Sequence, residues 1–272
     1  MLKILENKWI YYILLTVCAV AFFISFSQIY LWYSDNNRTK DLMKSISVPV
    51  IAIQDSPDGK VYSSEEVDSN APYNSNGVEY IKTNFDDLLK RNQDTVGWVA
   101  MIGTTVNYPI LQSKDNDYYL THSFDKSSNA AGWIFADFRN DMSTLDRNTI
   151  IYGHNRIDNS MFGSVAFALH DWWYKDPENY IIKLNTLYDQ TIWQIFSIYV
   201  IPEGNDYIQT YFSNDKEYID FISKMQGRSQ KVFNITLTAQ DKILTLSTCQ
   251  GSKNRLVVHA KLIRATHNRI PN

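Results

Sequence analysis

Apolar and polar positions divide this chain into three stretches of different character. No charged residue occurs between Lys8 and Asp35, and residues 9–31 are dominated by Ile, Leu, Val, Ala, Phe and Tyr. A run of that length spans a bilayer when helical. Trp9, Tyr11 and Tyr12 at one end, and Tyr30, Trp32 and Tyr33 at the other, put aromatic rings where a membrane has its headgroups. Residues 36–48 predict a short helix. Residues 53–77 are rich in Ser, Asp, Asn, Gly and Pro with little to bury, the composition of a linker.

From Val78 the pattern turns globular. Ile81, Phe85, Leu88 and Leu89 recur at helical spacing, with Asn92 just beyond as a stop. Short β-branched and aromatic runs then predict strands over residues 96–102, 105–112, 131–137, 148–154, 180–186, 191–201, 242–249 and 254–263. Eight strands predict a mainly β fold closed into a barrel. Between strands six and seven, Asn214 and Glu217 have capping-box spacing, Tyr218, Phe221, Ile222 and Met225 share one face, and Gly227 can end the helix. A second short helix is expected over residues 160–169. The organisation is therefore a cytoplasmic tail and transmembrane anchor over 1–34, a juxtamembrane segment and linker over 35–77, and one barrel domain over 78–272.

Charge and cysteine count narrow the chemistry. The 272 residues carry 26 Lys and Arg against 29 Asp and Glu, a net charge of -3 without a long basic run, which argues against a nucleic-acid partner. Cys18 and Cys249 cannot build a disulfide framework or a thiolate metal site. Cys18 reads as a small apolar residue in a lipid-facing helix. Ala19-Val20-Ala21 has the form of a signal-peptidase site and Val17-Cys18 part of a lipoprotein box, but the apolar run continues to Leu31, which favours an uncleaved anchor. Lys3 and Lys8 precede the span, yet Arg38, Lys40 and Lys44 follow it, so charge alone leaves orientation open. The N-terminus is expected inside and the barrel outside.

Cys249 ends the run from Lys242 to Thr248 and is followed at once by the polar stretch Gln250-Gly251-Ser252-Lys253-Asn254. Strand ends hold a backbone rigid while a loop leaves access; a lone Cys in a strand is equally a small buried hydrophobe. His154 closes Thr149-Ile150-Ile151-Tyr152-Gly153-His154, and a strand-end His can serve a strand-end thiolate as proton partner. His259 alternates within a strand and reads as a satisfied interior residue. His122 and His170 read as loop or helix-end residues, and His267 as part of the tail. Arg255 opens the last strand; it is either a surface charge or a guanidinium that holds substrate carbonyls and a developing oxyanion.

Thr245-Leu246-Ser247-Thr248-Cys249 followed by Arg255-Leu256-Val257-Val258-His259 resembles the catalytic and arginine strands of sortases, and Tyr152-Gly153-His154-Asn155 their histidine strand. The similarity covers residues 80–263, and the helix at 214–227 with the N-terminal helix points to the class B branch. The resemblance implies an eight-stranded sortase-type β-barrel and a membrane-tethered cysteine transpeptidase of Gram-positive bacteria. It implies Cys249, His154 and Arg255 as the catalytic set, with Ser247, Thr248, Asn116, Leu120 and Tyr207 along the peptide groove. The implied partners are secreted proteins with a C-terminal Pro-x-Thr-type sorting signal and an amine of peptidoglycan, with no metal or organic cofactor. Some class B relatives carry an acidic residue just after the Cys, where Gln250-Gly251 stands here, which leaves a carboxylate partner for His154 open. Two other readings compete: a thiol hydrolase using water as acceptor, and a non-catalytic envelope binding protein.

Overall fold

The computed structural model describes residues 8–46, 66–67, 80–81, 83–250 and 253–267, with the backbone alone at Glu66, Val67, Cys249, Gln250 and His267. The chain divides into two compact units, Met1–Ser45 and Ile46–Asn272.

The first unit holds most of one helix, α1 (Lys8–Ile46), of 39 residues. It is long and apolar enough to cross a membrane. The separate short helix expected over 36–48 is instead the continuation of α1. Neither Gly nor Pro stands between Ser34 and Ile46, so nothing interrupts the backbone hydrogen-bond ladder where the sequence turns polar. Most of the expected linker lies outside the described residues. Within it, however, Glu66–Val67 form a strand, β1, antiparallel to residues 264–265.

In the second unit, α2 (Phe85–Arg91) begins at Asn84, whose side chain accepts from the Asp86 amide at 3.0 Å. It ends at Asn92, as the sequence predicts. The Asn92 amide group is buried and donates to the Tyr119 hydroxyl and the Phe124 carbonyl, which ties the helix end to a later loop.

The strands are β2 (Thr95–Met101), β3 (Asn107–Leu111), β4 (Phe135–Ala136), β5 (Asn148–Tyr152), β6 (Ile181–Thr186), β7 (Asp189–Pro202), β8 (Ile243–Gln250) and β9 (Asn254–His267). Their order is β9-β7-β6-β2-β3-β4-β5-β8, and β8 pairs with β9 again, so these eight strands close on themselves; β1 lies against the far end of β9. Closure leaves no bare barrel edge to recruit another strand. Two pairings are parallel, β3 with β4 and β5 with β8. The strand expected over 131–137 contracts to Phe135–Ala136, because Ala131, Trp133 and Ile134 are buried in a loop whose Gly132 has a positive φ. His267, expected in a tail, closes β9 opposite Asp189.

β5 and β7 are buried on successive residues rather than on alternate ones, because loops and a helix cover the barrel wall outside its filled interior. That helix, α4 (Asp215–Gly227), starts at Asn214, which accepts from the Glu217 amide at 2.9 Å, while Glu217 accepts from the Ser213 amide. Tyr218, Phe221, Ile222 and Met225 pack with Phe196 and Tyr199 of β7 and Val257 of β9. Burying each of these large side chains contributes about 1.5–3 kcal/mol. The helix expected over 160–169 is a 3-10 segment, Gly163–Leu169, followed by the short helix α3 (Asp171–Tyr174).

Candidate active site

β8 is the strand around which the site is built. β5 runs parallel to it with Tyr152 level with Ser247, and β9 runs antiparallel to it with Arg255 directly opposite Cys249. β5 ends at Tyr152, two residues short of the expected His154. The Gly153 amide still donates to the Ser247 carbonyl at 3.3 Å, which carries the parallel register one residue further. Continued to His154, that register reaches the level of Cys249. His154, about a hundred residues before the other two in the chain, is thus carried by strand register toward the end of the barrel where Cys249 and Arg255 face each other across a hairpin.

Several contacts pin His154. Its carbonyl accepts from the Phe162 amide at 2.9 Å, and its ring Nε2 lies 2.7 Å from the Leu120 carbonyl. A carbonyl only accepts, so Nε2 carries the proton and Nδ1 is the nitrogen that can take or release a second one. Leu120 ends a 3-10 turn, Tyr118–Leu120. Gly132, at φ 58°, passes beneath this contact: a Cβ there would lie 2.6 Å from the Tyr119 carbonyl oxygen and 2.8 Å from His154 Cδ2. The bare backbone is what lets the imidazole lie against the loop.

A cavity of about 450 Å³ opens beside these residues. Its lining includes His154, Arg255, Ser247, Thr248, Asn116, Leu120 and Tyr207, so every expected site residue whose side chain is described is brought to one place. Cys249 enters through its backbone position next to Thr248 and across from Arg255. Ser247 Oγ and Tyr207 Oη lie 3.0 Å apart and join β8 to the loop that follows β7. The Thr248 hydroxyl is buried and has no partner among the described residues, and its residue lines the cavity.

The lining also contains residues that the sequence did not single out. Glu203, just after β7, forms an ion pair with Arg255 Nη2, and its amide donates to the Lys253 carbonyl at 2.9 Å. Arg255 is 23% exposed and Glu203 64%, so solvent weakens the pair and its main effect is on where the guanidinium points. Tyr152, Phe135 and Ile208 complete the apolar wall. Their signal was faint because each is an ordinary strand or loop residue by composition.

His259 follows its sequence reading. It is fully buried, with Nδ1 2.8 Å from Thr245 Oγ1 and Nε2 2.8 Å from Tyr199 Oη. Burial, with a smaller contribution from Arg228, pushes its pKa down to about 3.

The arrangement is a groove with a cysteine position on the central strand, an imidazole from one neighbouring strand's end and a guanidinium from the other. It suits an acyl-transfer reaction, in which an anion develops on a carbonyl oxygen and an amine departs. Comparison with known proteins places this geometry. The family described as "Sortase domain" matches residues 100–263. Sortase B of Listeria monocytogenes is 39% identical over 198 residues, covering 71% of this chain and 78% of that protein. A solved Staphylococcus aureus sortase B–substrate complex is 38% identical with a TM-score of 0.62, over 66% of this chain and 84% of that one. The crystal structure of sortase B from Bacillus anthracis is 34% identical with a TM-score of 0.68, over 85% of this chain and 99% of that one. The chain described here belongs to the sortase family of cysteine transpeptidases, on its class B branch.

Proposed function

We propose that this sortase is held in the membrane by α1 with its catalytic unit on the outer face, cleaves a Pro-x-Thr-type signal near the C-terminus of secreted proteins, and passes each protein to an amine of peptidoglycan. The observation that carries the reading is the strand register that puts Cys249 opposite Arg255 and Tyr152 level with Ser247, together with the cavity lined by His154, Thr248 and Arg255.

In this reading the Cys249 thiolate attacks the carbonyl carbon of the signal's Thr. Arg255 faces the oxygen on which negative charge gathers, and the unpartnered Thr248 hydroxyl adds a donor to the groove. As the tetrahedral species collapses, the C–N bond breaks and His154 delivers a proton to the leaving amine, forming a thioester on Cys249. An incoming amine attacks the thioester and gives up its proton to the now neutral imidazole. The new amide forms as the thiolate leaves. Leu120 keeps the ring in one tautomer through both steps. Asn116, Leu120, Ser247 and Tyr207 line the groove in which the signal lies. Glu203 holds Arg255 until a substrate carbonyl takes its place.

The test is to mix the protein with a Pro-x-Thr peptide and an amine such as oligoglycine and weigh the products. Wild type is expected to give the amide of the added amine, and Cys249→Ala to give neither product nor thioester. Cleavage retained by that variant would overturn the reading, and hydrolysed product alone would turn it to a thiol hydrolase.

A further inference from the structure

Behind the groove wall lies a carboxylate to which the reaction as described gives no task. Asp137 follows β4 directly and is 0% exposed. Its Oδ1 accepts from the Arg139 amide at 3.0 Å and Arg139 Nε at 2.8 Å, and its Oδ2 from Arg139 Nη2 at 2.6 Å, Tyr152 Oη at 2.9 Å and Asn116 Nδ2 at 3.1 Å. Burial pushes this carboxyl up, but the hydrogen bonds from Arg139 and Tyr152 outweigh it and hold the pKa below the ordinary carboxylate value. Burial and the neighbouring Asp137 push the Tyr152 hydroxyl up, so it stays a donor.

A satisfied buried carboxylate paired with a partly exposed arginine is often structural and nothing more. Here the partners argue for more, because they belong to separate walls of the groove. Tyr152 and Asn116 line the cavity directly. Arg139, gripped by Asp137, donates its Nη2 to the Ile208 carbonyl at 2.9 Å, anchoring the segment that carries Tyr207 and Ile208. Asn116 is the sharpest case. Its Oδ1 accepts from the Phe138 amide at 3.0 Å, and its Nδ2 faces a carboxylate that can only accept. The amide therefore has one allowed orientation, and its second N–H is left for a ligand carbonyl, with no partner for it among the described residues. The carboxylate and the Phe138 amide hold this orientation together, and without an acceptor at position 137 only the Phe138 amide would remain to hold the group that faces the peptide.

We propose that Asp137 is a positioning residue for substrate recognition: one buried carboxylate sets the amide orientation of Asn116, the Tyr152 hydroxyl and, through Arg139, the Tyr207–Ile208 segment, and so shapes the groove for the sorting signal. The proposal rests on the transpeptidase reading of that groove. It assigns Asp137 no contact with the reacting atoms, so its loss acts on binding rather than on the chemical step.

Asp137→Asn keeps the shape and removes the charge. Both carboxylate oxygens accept from several donors, so either orientation of the new amide sets N–H against N–H. Measured on the full chain in detergent with a Pro-x-Thr peptide, KM is expected to rise about tenfold, as expected when a buried donor loses its partner, with kcat within about threefold. Adding Asn116→Ala should multiply the effect less than fully, because both substitutions remove the Asn116 contact, while the Tyr152 and Arg139 contacts are lost only with Asp137. A KM unchanged by Asp137→Asn, or fully multiplicative effects in the double variant, would overturn the proposal. Hydrogen–deuterium exchange on the peptide-free chain supplies a readout independent of turnover. Residues 114–120 and 205–209 should exchange faster in Asp137→Asn, while unchanged exchange there speaks against it. A wild type that cleaves no such peptide overturns the transpeptidase reading instead, and the exchange result then decides the role of Asp137 by itself.

Discussion

At the scale of single residues, the site depends on positions that carry no chemistry. Gly132 is one. Its positive φ costs any residue with a Cβ about 1–2 kcal/mol, and the Cβ itself would collide with two carbonyl oxygens and the His154 ring. Gly132→Ala is expected to lower the melting temperature and to slow peptide cleavage about tenfold or more, read by thermal unfolding and steady-state kinetics; full activity would show that the ring does not need this bare stretch of backbone. His259 supplies a second residue-level prediction. Its pKa is about 3 in the folded chain against about 6.5 when unfolded. Below pH 6.5 the unfolded chain therefore binds a proton that the folded chain refuses, and stability falls with pH. Between pH 7.5 and 5.5 this single group should remove about 1.4 kcal/mol. Denaturant unfolding at the two values checks it, since His259→Gln should flatten the dependence.

At the scale of elements, α4 illustrates how a local signal and a tertiary one combine. Asn214 and Glu217 cap its start reciprocally, and this was legible in the sequence as spacing. Asn214→Ala should cost about 1 kcal/mol of stability, as the loss of an N-cap does, measured as a shift in the denaturation midpoint. The anchoring of the helix to the barrel was not legible. The Tyr218 hydroxyl lies within hydrogen-bond distance of both the Arg147 and Asp241 carbonyls, at 2.9 Å and 2.6 Å, and those residues come from separate loops. The strands tell the same story. Their number and approximate bounds follow from β-branched runs, whereas the contraction of β4 to two residues follows from how the 119–133 loop buries its own apolar side chains.

At the scale of the whole molecule, the division at residue 45 predicts separable roles. A chain beginning at Ile46 should leave the membrane fraction and keep the kcat of the full chain toward a soluble peptide; loss of turnover in that folded fragment would show that α1 contributes more than attachment. The sequence by itself determined the apolar span, the eight strands and the capped helix, because hydrophobic periodicity and turn chemistry are local properties; Cys249, His154 and Arg255 it singled out only through the resemblance of their strands to sortase motifs. It also placed Asn116, Leu120 and Tyr207 at the groove by resemblance, and the cavity includes all of them. Only the tertiary structure decided who meets whom. The parallel pairing of β5 with β8, the ion pair of Glu203 with Arg255, the Leu120 carbonyl on His154 and the convergence on Asp137 join residues far apart in the chain. Such partners follow from strand register and barrel closure, which are set by the packing of the whole core and leave no periodic trace in any one segment.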